Sequence, residues 1–174
     1  HPGKLNYAMS LGGATHFAGL IFAQRAGIDW AYIPTKGGSQ MSMAVATGDA
    51  DVLFVGILVS LPQVNTGRLK LIAVSSEQRM PSLPETPTVA ETLPGFVTGT
   101  WQGMLAPART PPDVIAKLNS EMARILRLNE VRELLGSQGT TPLPTGAQET
   151  GRWLAREKER VAKIVKETGY KIEQ

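Results

Sequence analysis

Leu5-Asn6-Tyr7-Ala8-Met9-Ser10 runs straight into Leu11-Gly12-Gly13-Ala14-Thr15-His16: an apolar strand, a glycine-bearing turn, then the start of an apolar helix. Trp30-Ala31-Tyr32-Ile33-Pro34 repeats the arrangement with Thr35-Lys36-Gly37-Gly38-Ser39-Gln40 behind it. Glycines at such turns let a ligand approach the main chain. The helix that follows presents unpaired N–H groups and the positive end of its dipole. Two such turns at the carboxyl ends of neighbouring parallel strands converge on one crevice, and that crevice suits an anion.

Outward from this stretch the same rhythm continues. The spacing predicts strands at 5–9, 29–33, 51–55 and 69–74. The first helix begins near Thr15 or His16, turns Phe17, Leu20, Ile21 and Ala23 inward, and stops at Gly27. The second covers 39–47, with Met41, Met43, Ala44 and Val45, and the third about 58–66. Asp51-Val52-Leu53-Phe54-Val55 is nearly all apolar, as a buried parallel strand is. Strands alternating with short helices predict an α/β fold with a mainly parallel sheet flanked by helices.

The rhythm breaks at 75–94, where Pro81, Pro84, Pro87 and Pro94 make an extended connector. A strand at 96–106, with Trp101 near its middle, and three helices are expected beyond it. The first helix opens at Thr110-Pro111-Pro112-Asp113, with Thr110 as cap, and turns Val114, Ile115, Leu118, Met122, Ile125 and Leu126 inward. A short helix at 130–135 ends at Gly136. The last opens on a capping-box pattern, Thr145-Gly146-Ala147-Gln148, and should bury Trp153, Leu154, Val161, Ile164 and Val165, against the first half or another chain.

With 174 residues, 42% of them hydrophobic, the chain can bury one core and a second small packing unit. The net charge of +3 comes from Lys and Arg scattered among Asp and Glu, with no basic stripe interleaved with aromatics, so nucleic acid is not an expected partner. There is no cysteine, which removes thiolate zinc sites, disulfides and cysteine nucleophiles and fits cytoplasm or periplasm. No stretch reaches the roughly 18 unbroken apolar residues of a membrane span. His1-Pro2-Gly3-Lys4 enters the first strand with no lead-in, which reads as a piece of a longer chain.

No enzyme chemistry assembles. The two histidines, His1 and His16, are not placed for a shared metal site. Ser10, Ser39 and Ser42 lack the Gly-x-Ser-x-Gly context of a nucleophile, and no nucleotide-binding glycine signature or cofactor motif is present. What remains is oxyanion binding. At the first turn Ser10 and Thr15 offer hydroxyls, while Gly12, Gly13 and Ala14 offer main-chain N–H groups. His16 either packs its own helix or meets the ligand. At the second turn Gly37 and Gly38 offer the main chain, and Lys36 is either solvated or pairs with a carboxylate. Hydrogen bonds to charged groups contribute about 1.5–3 kcal/mol each, so three or four hold a small carboxylate at micromolar strength after the cost of association.

Several stretches carry a family resemblance: Pro2 to Tyr7, Ser10 to His16, Gln24-Arg25-Ala26-Gly27, Lys36-Gly37-Gly38, Gly48-Asp49-Ala50-Asp51-Val52 and Gly67-Arg68-Leu69. Leu83-Pro84-Glu85-Thr86-Pro87-Thr88-Val89-Ala90-Glu91, Pro94-Gly95-Phe96, Leu105-Ala106-Pro107-Ala108 and Thr110-Pro111-Pro112 continue it. In this order the chain resembles the receptor component of the tripartite tricarboxylate transporters, the Bug-type periplasmic solute-binding proteins. The resemblance implies a type II periplasmic-binding-protein fold. Its two lobes close on a small carboxylate in the periplasm and deliver it to membrane permease subunits.

It further implies that 1–96 is the second lobe and that 97–174 is a crossover strand and helical segment returning to the first. The turns at Ser10–His16 and Lys36–Gly38 would face the ligand. Many relatives carry a polar pair, often Asp-Asn, where this chain has Val55-Gly56, which implies a more apolar site here. A homodimer by domain exchange is a further expectation for a chain of this length. The alternative reading is the effector-binding domain of a LysR-like transcription regulator, which shares the two-lobed fold.

Overall fold

The computed structural model describes residues 3–170. They divide into two compact units, 3–100 with 167–170, and 101–166. In the first unit β1 (Leu5–Ser10), β2 (Trp30–Thr35) and β3 (Val52–Leu53) form a parallel sheet in the order β2-β1-β3. β1 pairs with β2 from Leu5 opposite Trp30 to Ser10 opposite Thr35, and with β3 at Tyr7–Val52 and Ala8–Leu53. The connecting helices are α1 (Ala14–Ala26) and α2 (Gly38–Thr47), and α3 (Ile57–Asn65) follows β3.

Alternation along β1 sorts the core onto two faces. Tyr7 and Met9 point to the α1 face, with Ala23, Trp30, Phe22, Val52 and Phe54. Ala8 points to the other, with Met41, Ala50, Ala44, Leu53 and Val55. The Tyr7 ring is fully buried and stacks on Trp30 at 4.6 Å, and Phe96 closes the cluster against Phe22 and Phe54 at 5.8 and 5.6 Å. Burial pushes the Tyr7 hydroxyl pKa up, and that hydroxyl donates to the carbonyl of Thr15. A Cβ at Gly19 would overlap the Tyr7 ring, so the small residue is what lets α1 approach the sheet.

Several expected details change. The buried residues of α1 are His16, Ala18, Gly19 and Ala23, with Phe17, Leu20 and Ile21 only half-buried, because the Tyr7 ring leaves room for nothing larger than Gly19 where the helix meets the sheet. On α2, Met41 is buried while Met43 faces out. β3 is a two-residue edge of the sheet rather than a long buried strand. Its surroundings stay apolar because Val52 and Phe54 meet one cluster and Leu53 and Val55 the other.

The expected strand at 69–74 is reduced to one parallel bridge, Val74 to Thr88. Pro87 supplies a carbonyl to the Val74 N–H at 2.9 Å but has no N–H to extend the ladder. The proline-rich connector is held instead by a capping box at a 3₁₀ turn, Val89–Glu91. The Thr88 hydroxyl accepts from the Glu91 N–H, and the Glu91 carboxylate accepts from the Thr88 N–H at 2.9 Å. The Arg79 guanidinium pairs with the same carboxylate at 2.7 and 2.8 Å; these contacts hold its pKa down at about 2.

The second unit contains α4 (Pro112–Leu126), α5 (Asn129–Ser137) and the body of α6 (Ala147–Thr168). No strand forms at 96–106, where no neighbouring strand among the described residues pairs with the segment. Phe96 is buried, but Trp101, Met104 and Leu105 are exposed. Pro111, not Thr110, is the cap residue of α4, and the helix buries no side chain: Val114, Leu118 and Ile125 are exposed. On α6 only Ile164 is fully buried, with Trp153, Leu154, Val161 and Val165 half-buried. Trp153 meets Trp101 edge-on at 5.3 Å. The Thr145 hydroxyl pairs with that of Thr150 at 2.8 Å.

Candidate functional site

The chain leaves β1 through α1 on one face to reach β2 and returns through α2 on the other face to β3. The connections therefore part between β1 and β3, a topological switch point, which in open α/β sheets is where ligands bind. Ser10 and Thr35 are paired across the ladder, so the first two turns leave the sheet at the same level. Two residues beyond the Ala8–Leu53 pairing lie Ser10 and Val55, which bring the start of α3 to the same edge. The three turns at 10–16, 35–40 and 55–60 thus meet at the carboxyl end of the sheet.

At the first turn the structure separates two roles. The Gly12 N–H donates to His16 Nδ1 at 3.3 Å and the Gly13 N–H to the Ser10 carbonyl at 3.0 Å, so neither is free for a ligand. The Thr15 hydroxyl accepts from the Ser10 N–H at 3.3 Å. These bonds shape the turn, and Gly12 permits it with φ +70°. The N–H groups that open α1, on Ala14 and Thr15, have no acceptor among the described residues. His16 is 4% exposed and lies edge-on to Tyr32 and Tyr170 at 5.5 and 4.6 Å. Burial holds its pKa below the usual 6.5. It packs and tethers its own turn.

At the second turn the Thr35 hydroxyl reaches the Met9 carbonyl at 3.2 Å, joining the ends of β1 and β2, and the Lys36 N–H donates to Gln40 Oε1 at 2.9 Å. Gly37 adopts φ +155°, a conformation L side chains rarely take. Gly38 lies close under α3: a Cβ there would sit 3.2 Å from Val55 Cγ2 and 3.3 Å from Val59 Cγ1, a tight fit. The N–H groups of Gly38 and Ser39 are unpaired, and Lys36 is exposed with no ion pair among the described residues.

The third turn was missed in the sequence, although Phe54-Val55-Gly56-Ile57 repeats the strand–glycine–helix signal. The N–H groups of Ile57 and Leu58 likewise have no acceptor among the described residues. All three helices are capped by glycine (Gly13, Gly37 and Gly56), without a side-chain cap and without an acidic residue in the first turn. Their positive dipole ends are left uncompensated at one edge of the sheet.

Solved structures identify the class. The chain superposes on Rpa4515 of R. palustris with adipate at TM-score 0.92 and 29% identity, over 97% of this chain and 57% of that one. It matches the periplasmic binding protein BugD at 0.86 and 26%, over 97% and 58%. It also matches MatC from Rhodopseudomonas palustris with bound malate at 0.80 and 27%, over 94% and 57%. The fold is that of the periplasmic binding proteins. The family model for the tripartite tricarboxylate transporter family receptor matches residues 1–170, and the chain belongs to that family, one of solute-binding receptors and not of enzymes. The chain spans about half the length of the curated relatives it matches, 42% and 53% for two of them. Among the described residues no helix is long and apolar enough to cross a membrane.

Proposed function

We propose that this chain supplies one side of a periplasmic receptor that captures a small carboxylate for the membrane permease of a tripartite tricarboxylate-type transporter. The observation that carries the reading is the set of three glycine-capped, acid-free helix starts at the switch point. The adipate and malate in the neighbouring structures agree with it in chemistry. Ala14, Thr15, Gly38 and Ser39 offer main-chain N–H groups to the carboxylate, and Lys36 adds charge. Ser10, Gly12, Gly13, His16 and Gly37 hold the turns in the shape that presents them.

Residues 1–96 form the second lobe, and 97–174 belong to the segment returning to the first. The receptor works by closure without chemistry: a carboxylate that bridges two lobes contacts both only when they are closed, and that difference shifts the population. Calorimetric titration of the protein at its natural length with small dicarboxylates tests this. Lys36→Gln weakens binding about tenfold, about 1.4 kcal/mol. Turnover of the solute, or no binding of any carboxylate, overturns the reading. A second copy of the chain covers the exposed Trp101, Leu105 and Leu118 by domain exchange. Sedimentation equilibrium that finds only monomer at high concentration refutes that part.

A further inference from the structure

The third turn differs from the other two in what its side chains offer. Val55, Leu58 and Val59 stand at the start of α3, and Leu58 and Val59 are 50% and 39% exposed although apolar. The methyls of Val55 and Val59 are the atoms that flank Gly38, whose N–H is free. An anion held at the start of α2 therefore has hydrocarbon beside it. No residue between Asp51 and Arg68 carries a charge. Asp51 itself accepts from the Asn6 N–H at 2.7 Å, near the opposite end of β1. Ser60 is the one polar side chain at 55–60, and its hydroxyl donates to the Ile57 carbonyl at 3.2 Å. None of the three turns contains Asp or Glu, so a solute ammonium group meets no counter-charge on them.

We infer, resting on the receptor reading above, that the solute is a carboxylate whose body is unsubstituted hydrocarbon, seated against Val55, Leu58 and Val59. A hydroxyl or amino group at that wall loses its hydration and finds no partner. Added methylene groups, by contrast, gain from apolar contact.

The test is calorimetric titration of the natural-length protein with succinate, glutarate, adipate and malate, the last being succinate with one hydroxyl. Affinity should rise about fourfold per methylene from succinate to adipate, and malate should bind at least about tenfold more weakly than succinate. Leu58→Asn, an exposed position that tolerates the change, should flatten the chain-length series and narrow the succinate–malate gap. Val55→Thr, nearly isosteric, should do the same if the first variant misfolds by circular dichroism. Malate binding as tightly as succinate, or a flat series in the wild type, overturns this inference and leaves the receptor reading standing. Failure of all four to bind overturns both.

Discussion

The two units of this chain are both built with helices, yet they finish them differently. In the first, Tyr7, Ala8, Met9 and Met41 are almost wholly removed from water, and the helices that cover them start on bare glycine caps. In the second, α4 and α5 bury no side chain, while α4, α5 and α6 each begin with an acid against the dipole: Asp113, Glu130 and Glu149. The first unit buries a sheet core on both faces and leaves its helix dipoles open. The second does the reverse. Open dipoles at strand ends are what the proposed carboxylate site needs, whereas compensated helix starts with an uncovered apolar stripe suit packing.

The comparison breaks most readily in the core. Tyr7→Ala should cost the chain about 3–5 kcal/mol, and Gly19→Ala, which pushes a methyl into the same ring, about 1–3 kcal/mol. Leu118→Ala in α4, measured by the same urea titration, should cost at most about 1 kcal/mol because the side chain is already exposed. Equal losses at Tyr7 and Leu118 would mean the two units are not finished differently.

Adding an acid where the first unit lacks one sharpens the contrast. Ser39→Asp should stabilise α2 by about 0.3–1 kcal/mol through its dipole and yet weaken carboxylate binding about tenfold or more. Removing one from the second unit, Asp113→Asn, should cost about 0.3–1 kcal/mol with no effect on binding. Thermal unfolding and calorimetry read the two signs separately, and a Ser39→Asp protein that binds normally would detach the helix start from the ligand.

The smallest effect is in pH. Burial lowers the His16 pKa below its usual 6.5, so the unfolded chain takes up the proton first as pH falls. Its contribution is complete above about pH 6.5 and is lost as pH drops through the lower folded value. Glu91, held at about 2 from a usual 4.5, contributes in the same direction only below that usual value. Between 6.5 and 4.5 the decline should therefore vanish in His16→Gln, as denaturant titrations at stepped pH would show.

The amino-acid order alone determined the alternation of strands and helices and the two glycine turns, because these depend on periodicity and on residues that act locally. It also carried the family, through motifs spread along the whole length. Tertiary structure decided what is non-local. Pro87 stops a ladder at Val74 only because the connector lies beside it. The Gly12 N–H turns out to be taken by His16 and the Gly13 N–H by the Ser10 carbonyl, so neither is open to a ligand. The third helix start joins the other two at the carboxyl end of the sheet because β3 lies next to β1 and not β2. Gly38 is crowded by Val55 and Val59, side chains 17 and 21 positions away that reach it only when α3 packs beside α2.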